Sequence, residues 1–470
     1  MIKKLLVLVV TTVFIASGVA VSASPKPTKY KPTSSFSDRC AKDAKQPKEW
    51  NSLSKLQSAT YRCQTPFRVV AKNLPKLGPK TLLTSNTKLL VPELCKIADA
   101  GDDRDTLFNG WPATSSRKAV FEAGRYPSAK TVFQIVPIEA PDAPAGTQTP
   151  SKDYGKYFTW LKNYFTYISD FGANIEFRVP PKYLKFSKPL KPYNVQHLNK
   201  SDFKTFGRDL ISEVDNQIDF TGANITIVLA PAGTPTSVFG QQHFSDAVTN
   251  EGPLGKFEAM APATYSLANV EEESRNLVSP IFWLHNFFHT GIFDFGDGDG
   301  EPGSDLDEHR SMGAWGVMAQ GQIGLLGWQK WQLGFWEDSQ IACIDKSLSS
   351  TVWIAPQSYR TKKTKLAVIP LGTNKGIVIE SMRAAGLEYK LGPDEQGALV
   401  YVVDTTDRKR FGYTYEVQHD VNAKDKQFDP RRKEFWAPLD KGNSITYEGV
   451  KITNVEWGEF GDVIKVEPVK

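Results

Sequence analysis

Histidine, methionine and cysteine are all scarce in this chain, with six, five and four copies among 470 residues. The cysteines stand far apart at Cys40, Cys63, Cys95 and Cys343, which excludes zinc modules built on paired cysteines a few residues apart. Charge of one sign is lacking too. With 57 basic against 52 acidic residues the formal net charge is only +5, which argues against a nucleic-acid-binding protein. After the first two dozen residues no apolar run is long enough to span a membrane, and no repeat period is found.

The one long apolar run follows Lys3 and Lys4, extends from Leu5 to about Ala20 and ends in small residues at Val21, Ser22 and Ala23. That order reads as a secretory signal peptide over residues 1–23, cut before Ser24. The expected location is therefore secreted or extracellular, with no stable membrane anchor after cleavage. An uncleaved anchor is the alternative, because the run approaches the length of a spanning helix. An exported chain keeps disulfides, and four cysteines allow three pairings. We expect Cys40 with Cys63, leaving Cys95 with Cys343, and buried thiols are the alternative.

Along the chain, residues 24–39 are rich in Ser, Pro, Lys and Thr and read as a flexible linker. Residues 40–130 carry few periodic runs and form a small N-terminal region whose fold the sequence does not declare. From Val132 the pattern sharpens into an α/β order. A strand over Val132–Pro137 precedes a helix marked by Tyr157, Leu161, Tyr164 and Ile168, then a helix marked by Phe203, Phe206, Leu210 and Val214, then a strand over Ile225–Leu229. Ser279 and Pro280 supply an N-cap and a first-turn proline for a helix over Ile281–His289, and Gly291 is its expected C-cap. Beyond about 340, short strands at Val352–Ile354, Lys365–Ile369, Gly376–Glu380 and Ala398–Val403 alternate with turns. The fold class expected is α+β, with one domain over 131–340 and a β-rich C-terminal part over 341–470.

Two of the six histidines, His285 and His289, stand four residues apart on that short helix and so share a face, from which both can reach one metal ion. The spacing is that of the HExxH zinc helix, in which the glutamate after the first histidine takes a proton from the attacking water. Here that position is Asn286, which has no basic oxygen to offer. The competing interpretation is two packed or surface histidines. Zinc is the expected cofactor, and a third ligand must come from beyond the helix, Asp294 being the closest candidate and His309 a substitute. The carboxylates of Asp297, Asp299 and Glu301, continued by Asp305, Asp307 and Glu308, suit calcium on a glycine-broken loop. A solvated acidic loop competes with that site, because the sixth-place glycine and distant glutamate of a calcium loop are missing.

These residues resemble the immune-inhibitor-A-like, or thuringilysin-like, secreted zinc metallopeptidases. The stretch after that family's HExxH stands here as Gly291-Ile-Phe-Asp294-Phe-Gly-Asp297, and its Gly-x-Trp-x-x-Met element as Gly313-Ala-Trp315-Gly-Val-Met318. Trp328-Gln-Lys330-Trp-Gln-Leu-Gly334-Phe follows, and Val378-Ile-Glu380-Ser-Met-Arg383 with Gly397-Ala-Leu-Val-Tyr-Val-Val-Asp404 resembles the closing segment. The resemblance runs from about Thr131 to Val466. It implies a zincin or metzincin-like metallopeptidase domain, a peptide or protein as substrate or ligand, and Met318 as an apolar turn beneath the metal. Two departures fall on the chemistry. Asn286 replaces the glutamate, and Asp294 lies five rather than six positions after His289, which draws the turn inward.

The expected function is a secreted metallopeptidase homologue whose hydrolysis is reduced or lost. An active zinc endopeptidase with a base relocated to Glu301 or Glu308 is the first alternative. A wall-associated adhesion protein is the second, prompted by the basic clusters at Arg360 to Lys365, Arg408 to Arg410 and Arg431 to Lys433, which suit anionic cell-envelope polymers.

Overall fold

Strands dominate and helices are few. The computed structural model describes residues 87–98, 100, 110–111, 130–169, 173–195, 203–244, 247–254, 257–260, 280–289, 315–317, 324–358, 361–383, 388, 396–406, 414–416, 438–458 and 460–469. For Asn286 and His289 the description extends to the helical backbone alone. In chain order the elements begin with β1 (Leu89–Leu90), β2 (Lys130–Glu139), α1 (Pro150–Ile168), β3 (Asn174–Arg178), β4 (Leu184–Lys185) and α2 (Phe203–Val214). Next come β5 (Ile225–Leu229), β6 (Gln242–Phe244), β7 (Val248–Thr249), β8 (Gly252–Pro253), β9 (Phe257–Met260), α3 (Pro280–His289) and α4 (Gly327–Gln332). The remainder is strand: β10 (Ile341–Ile344), β11 (Ser350–Ile354), β12 (Leu366–Pro370), β13 (Lys375–Met382), β14 (Gly397–Asp404), β15 (Thr414–Glu416), β16 (Ser444–Tyr447), β17 (Val450–Gly458) and β18 (Gly461–Pro468). The protein is thus mixed α+β among its described residues.

The first sheet runs β3-β2-β5-β9-β6, with β4 against the far end of β2. All its pairings are parallel except that of β6 with β9 at the edge. Parallel strands need crossovers, and α1 and α2 supply them on opposite faces. The two-residue period decides which face each side chain takes. Phe133, Ile135, Ile225, Ile227 and Leu229 meet α1 and α3 on one side. Val136, Ile138 and Val228 meet Phe206, Leu210, Ile211 and Val214 of α2 on the other. Thr149 precedes Pro150 at the start of α1 and accepts the Lys152 N–H, so this helix begins on the cap its sequence supplies.

The second sheet runs β1-β10-β12-β13-β14-β15, and a third runs β11-β18-β17-β16. Their facing sides share one core, in which Ile369, Ile377, Ile379, Val400 and Val402 meet Val352, Ile354, Ile452, Ile464 and Val466. The opposite side of the second sheet is covered by tryptophans: Trp315, Trp328, Trp331 and Trp336 pack on Leu366, Val368, Val378 and Tyr401. The segment around α4 therefore joins the two halves, since Val317, Leu325, Leu333 and Phe335 turn instead toward α1 and α3. β1 belongs to the region whose fold the sequence left undeclared, yet it pairs antiparallel with β10, Leu90 opposite Cys343. Cys95 and Cys343 are disulfide-bonded, as expected, and fasten this segment to the second sheet. Cys40 and Cys63 lie outside the described residues. Among the described residues no helix is long and apolar enough to cross a membrane.

Candidate metal centre

α3 is held by burial rather than by its own propensity, since Trp, Phe and His are mediocre helix formers. Trp283, Leu284, Phe287 and Phe288 are completely buried, and each large apolar side chain so placed contributes about 1.5–3 kcal/mol. Trp283 lies against Tyr154 and Tyr157 of α1, with ring centroids 5.5 and 4.8 Å apart. Phe287 meets Phe133 of β2, and Phe288 meets Phe165. These contacts fix the rotation of α3 about its axis. They bury His285 as well, at 6 % exposure.

His285 Nδ1 lies 3.0 Å from the carbonyl oxygen of Val317. A carbonyl can only accept, so Nδ1 carries a proton, and in the neutral ring the lone pair is on Nε2. Metal-ligating histidines are commonly held in this way, one ring nitrogen tied to a carbonyl and the other presented as a ligand. His289 is one helical turn further along, at the position that shares a face with His285. Val317 is itself fixed, because its N–H donates to Gly324 O at 2.8 Å and closes the ends of the 317–324 segment on each other.

Met318, expected beneath the metal, is inside that segment and outside the described residues, but its neighbour supplies the carbonyl that orients His285. Asp294, Asp297, Asp299, Glu301, Glu308 and His309 also lie outside the described residues. Among the described residues no three histidine, cysteine, aspartate or glutamate side chains converge to hold a metal ion. His285 is thus the one expected ligand whose side chain is described, and its geometry fits the role.

A second polar cluster, assembled from residues far apart in the chain, borders this region. Glu380 of β13 and Glu388, between β13 and β14, are both buried, as is Lys330 of α4. Glu380 Oε2 accepts the Gly327 N–H at 2.9 Å, and Glu388 Oε1 accepts the Gly324 N–H at 3.1 Å. Tyr401 accepts the Trp328 N–H and bonds Glu380 through its hydroxyl. Lys330 Nζ donates to Gln357 Oε1 at 2.6 Å and lies over the Trp336 ring. A Cβ at either glycine would force the neighbouring side chains to move. A Cβ on Gly324 would stand 2.0 Å from Glu388 Oε1, and one on Gly327 would stand 2.8 Å from Glu380 Oε2. A glutamate interrupting the apolar run of β13 was the signal available in the sequence; Glu388 had none.

Burial pushes Glu380 up to about 7, against the pull of Lys330's charge and the Gly327 N–H. Burial likewise pushes Glu388 up to about 7, against the same lysine and the Gly324 N–H. Tyr164 of α1 is raised well above its ordinary value by burial and by the Glu388 charge. A carboxyl raised on folding favours the folded state most strongly below its unfolded pKa, and that contribution disappears as pH climbs through the folded value. Stability is therefore expected to fall between about pH 4.5 and 7, at up to about 1.4 kcal/mol per pH unit per group. Thermal melts of the wild-type chain from pH 5 to 8 should decline, and those of Glu380→Gln should be flatter. A wild-type curve that rises over this window would contradict the assignment.

Among known protein families and curated proteins, none matches this chain.

Proposed function

We propose that the chain is a secreted homologue of zinc metallopeptidases, of the immune-inhibitor-A-like kind, with a zincin-like domain and greatly reduced or lost peptide hydrolysis. The observation that carries this reading is the His285 Nδ1 contact with the Val317 carbonyl, 3.0 Å long and buried, on the helix that also bears His289. It is supported by the order of the pieces: a mixed sheet, a histidine helix packed on it, and the Val317 carbonyl behind the first histidine. His285, His289 and Asp294 would hold zinc, whose chemistry in such a site is polarisation of a peptide carbonyl and activation of water. His285 is pre-oriented for this, its ring locked by the carbonyl behind it and by the aromatic side chains around α3. Asn286 stands where a general base would take the proton, and its neutral amide cannot. Glu301 and Glu308 are the carboxylates that would restore a base if one is relocated. A peptide or protein is the class of molecule such a cleft would bind, and Asp297, Asp299 and Glu301 are the residues to which a calcium ion would go.

Zinc titration of the full chain tests the reading. Wild type is expected to bind one zinc per chain, and His285→Ala to bind at least about 100-fold more weakly, the upper end of what even outer-shell partners of a metal site supply. Binding that is absent, or that His285→Ala leaves unchanged, would remove the metal-centre assignment.

A further inference from the structure

We propose that Glu388 is a positioning residue for His285, acting through the backbone of Gly324 and Val317. This rests on the reading of His285 as a metal ligand, and it names what holds that ligand in place. The three links are consecutive. Glu388 Oε1 accepts the Gly324 N–H at 3.1 Å, Gly324 O accepts the Val317 N–H at 2.8 Å, and Val317 O accepts from His285 Nδ1 at 3.0 Å. Both intermediate residues use their N–H and their C=O in the chain, so neither can turn without breaking a link.

Every participant is buried. Glu388 is 3 % exposed, and Val317 and His285 are 1 % and 6 % exposed. A carboxylate is a costly way to fill such a place, since apolar side chains of similar volume usually stabilise a core as well or better. What Glu388 adds is a fixed acceptor: its Oε1 takes the Gly324 N–H, which an apolar side chain of the same volume would leave without that partner. A Cβ at position 324 would stand 2.0 Å from Glu388 Oε1, so a side chain there would push the carboxylate off its bond. Glu380 provides an internal comparison. It is as deeply buried, is coupled to the same Lys330 and also holds a glycine N–H, but that glycine is Gly327, outside the chain of contacts to His285.

The test compares Glu388→Ala, Glu388→Gln and Glu380→Ala in the full chain carrying ¹⁵N-histidine. The imidazole Nδ1–H resonance of His285, assigned by its loss in His285→Ala, is read by NMR alongside thermal stability and zinc affinity. Both alanine variants should melt earlier than wild type. Only Glu388→Ala should displace the His285 resonance and weaken zinc binding about 10–100-fold, the range over which outer-shell partners act. Glu388→Gln keeps an acceptor and should stay within about threefold of wild type by the same measure. Should Glu388→Ala fail to fold, Glu388→Asp withdraws the acceptor by one methylene and carries the same expectations. Equal displacement of the His285 signal by Glu380→Ala and Glu388→Ala, or none by the latter, would overturn the proposal. If wild type binds no zinc while the resonance responds to Glu388 alone, the positioning role stands and the metal-centre reading falls.

Discussion

Asn286→Glu should raise zinc-dependent hydrolysis of a quenched-fluorescent peptide library by about 10²–10⁴-fold over the wild-type chain, the contribution of a positioned general base. The expectation follows from what α3 already provides. His285 is buried and held in the Nδ1–H tautomer by Val317, and His289 follows one turn later on a continuous helix. A glutamate at 286 would add the proton acceptor that the amide lacks, without disturbing the apolar anchors Trp283, Leu284, Phe287 and Phe288. The gain should disappear when His285→Ala is combined with Asn286→Glu, because the histidine is needed whichever residue serves as base. If wild type already cleaves and His285→Ala abolishes that cleavage, the base lies elsewhere and Glu301 and Glu308 become the residues to replace. If Asn286→Glu binds zinc and stays silent, the shortened spacing between His289 and Asp294 has removed more than the base.

Asp462→Ala should destabilise the β-rich part by about 3–5 kcal/mol, because it strands a buried cation. Arg383 at the end of β13 and Asp462 of β18 are 2 % and 0 % exposed, with Nη1 and Oδ2 3.0 Å apart. Asp462 also accepts from Ser381 Oγ and, at 2.8 Å, from Asn454 Nδ2. Arg383 spends its other donors on the carbonyls of Gly458, Gly461 and Met382, and its guanidinium lies over the Trp457 ring. The network pins the β17–β18 hairpin to the second sheet. Set against a typical domain stability of about 5–15 kcal/mol, the expected loss is a large fraction of the whole. Urea unfolding should show a lower midpoint with an unchanged slope. Arg383→Met combined with Asp462→Leu should recover much of the loss, since it removes both charges together. A loss below about 1 kcal/mol for Asp462→Ala would mean that water reaches the arginine and that the pair behaves like an exposed one.

Periodicity made the local elements legible. The apolar positions at 203, 206, 210 and 214 fall on a helix with the bounds their spacing implies, and Ile225–Leu229 is a strand throughout. β2 and β14 each extend slightly beyond the apolar runs that marked them, because strand pairing continues past the last apolar residue. The histidine spacing was legible for the same reason, as four residues make one helical turn. The carbonyl behind His285 was not, because Val317 is 32 positions away and carries no polar side chain.

The sequence by itself determined the three helices with clear apolar spacing and the strands with continuous apolar runs, which two histidines share a helix face, and that the residue beside the first cannot act as a base. Each of these depends on neighbours a few positions apart, where spacing translates directly into geometry. Only the tertiary structure decided that Leu89 and Leu90 complete a sheet whose other strands begin some 250 residues later in the chain. It also decided that Glu380 and Glu388 are buried against the glycines before α4, and that Arg383 finds Asp462. Those partners are chosen by which faces the packed layers bring together, and a burial that raises one carboxylate and pairs another leaves no periodic trace in the chain.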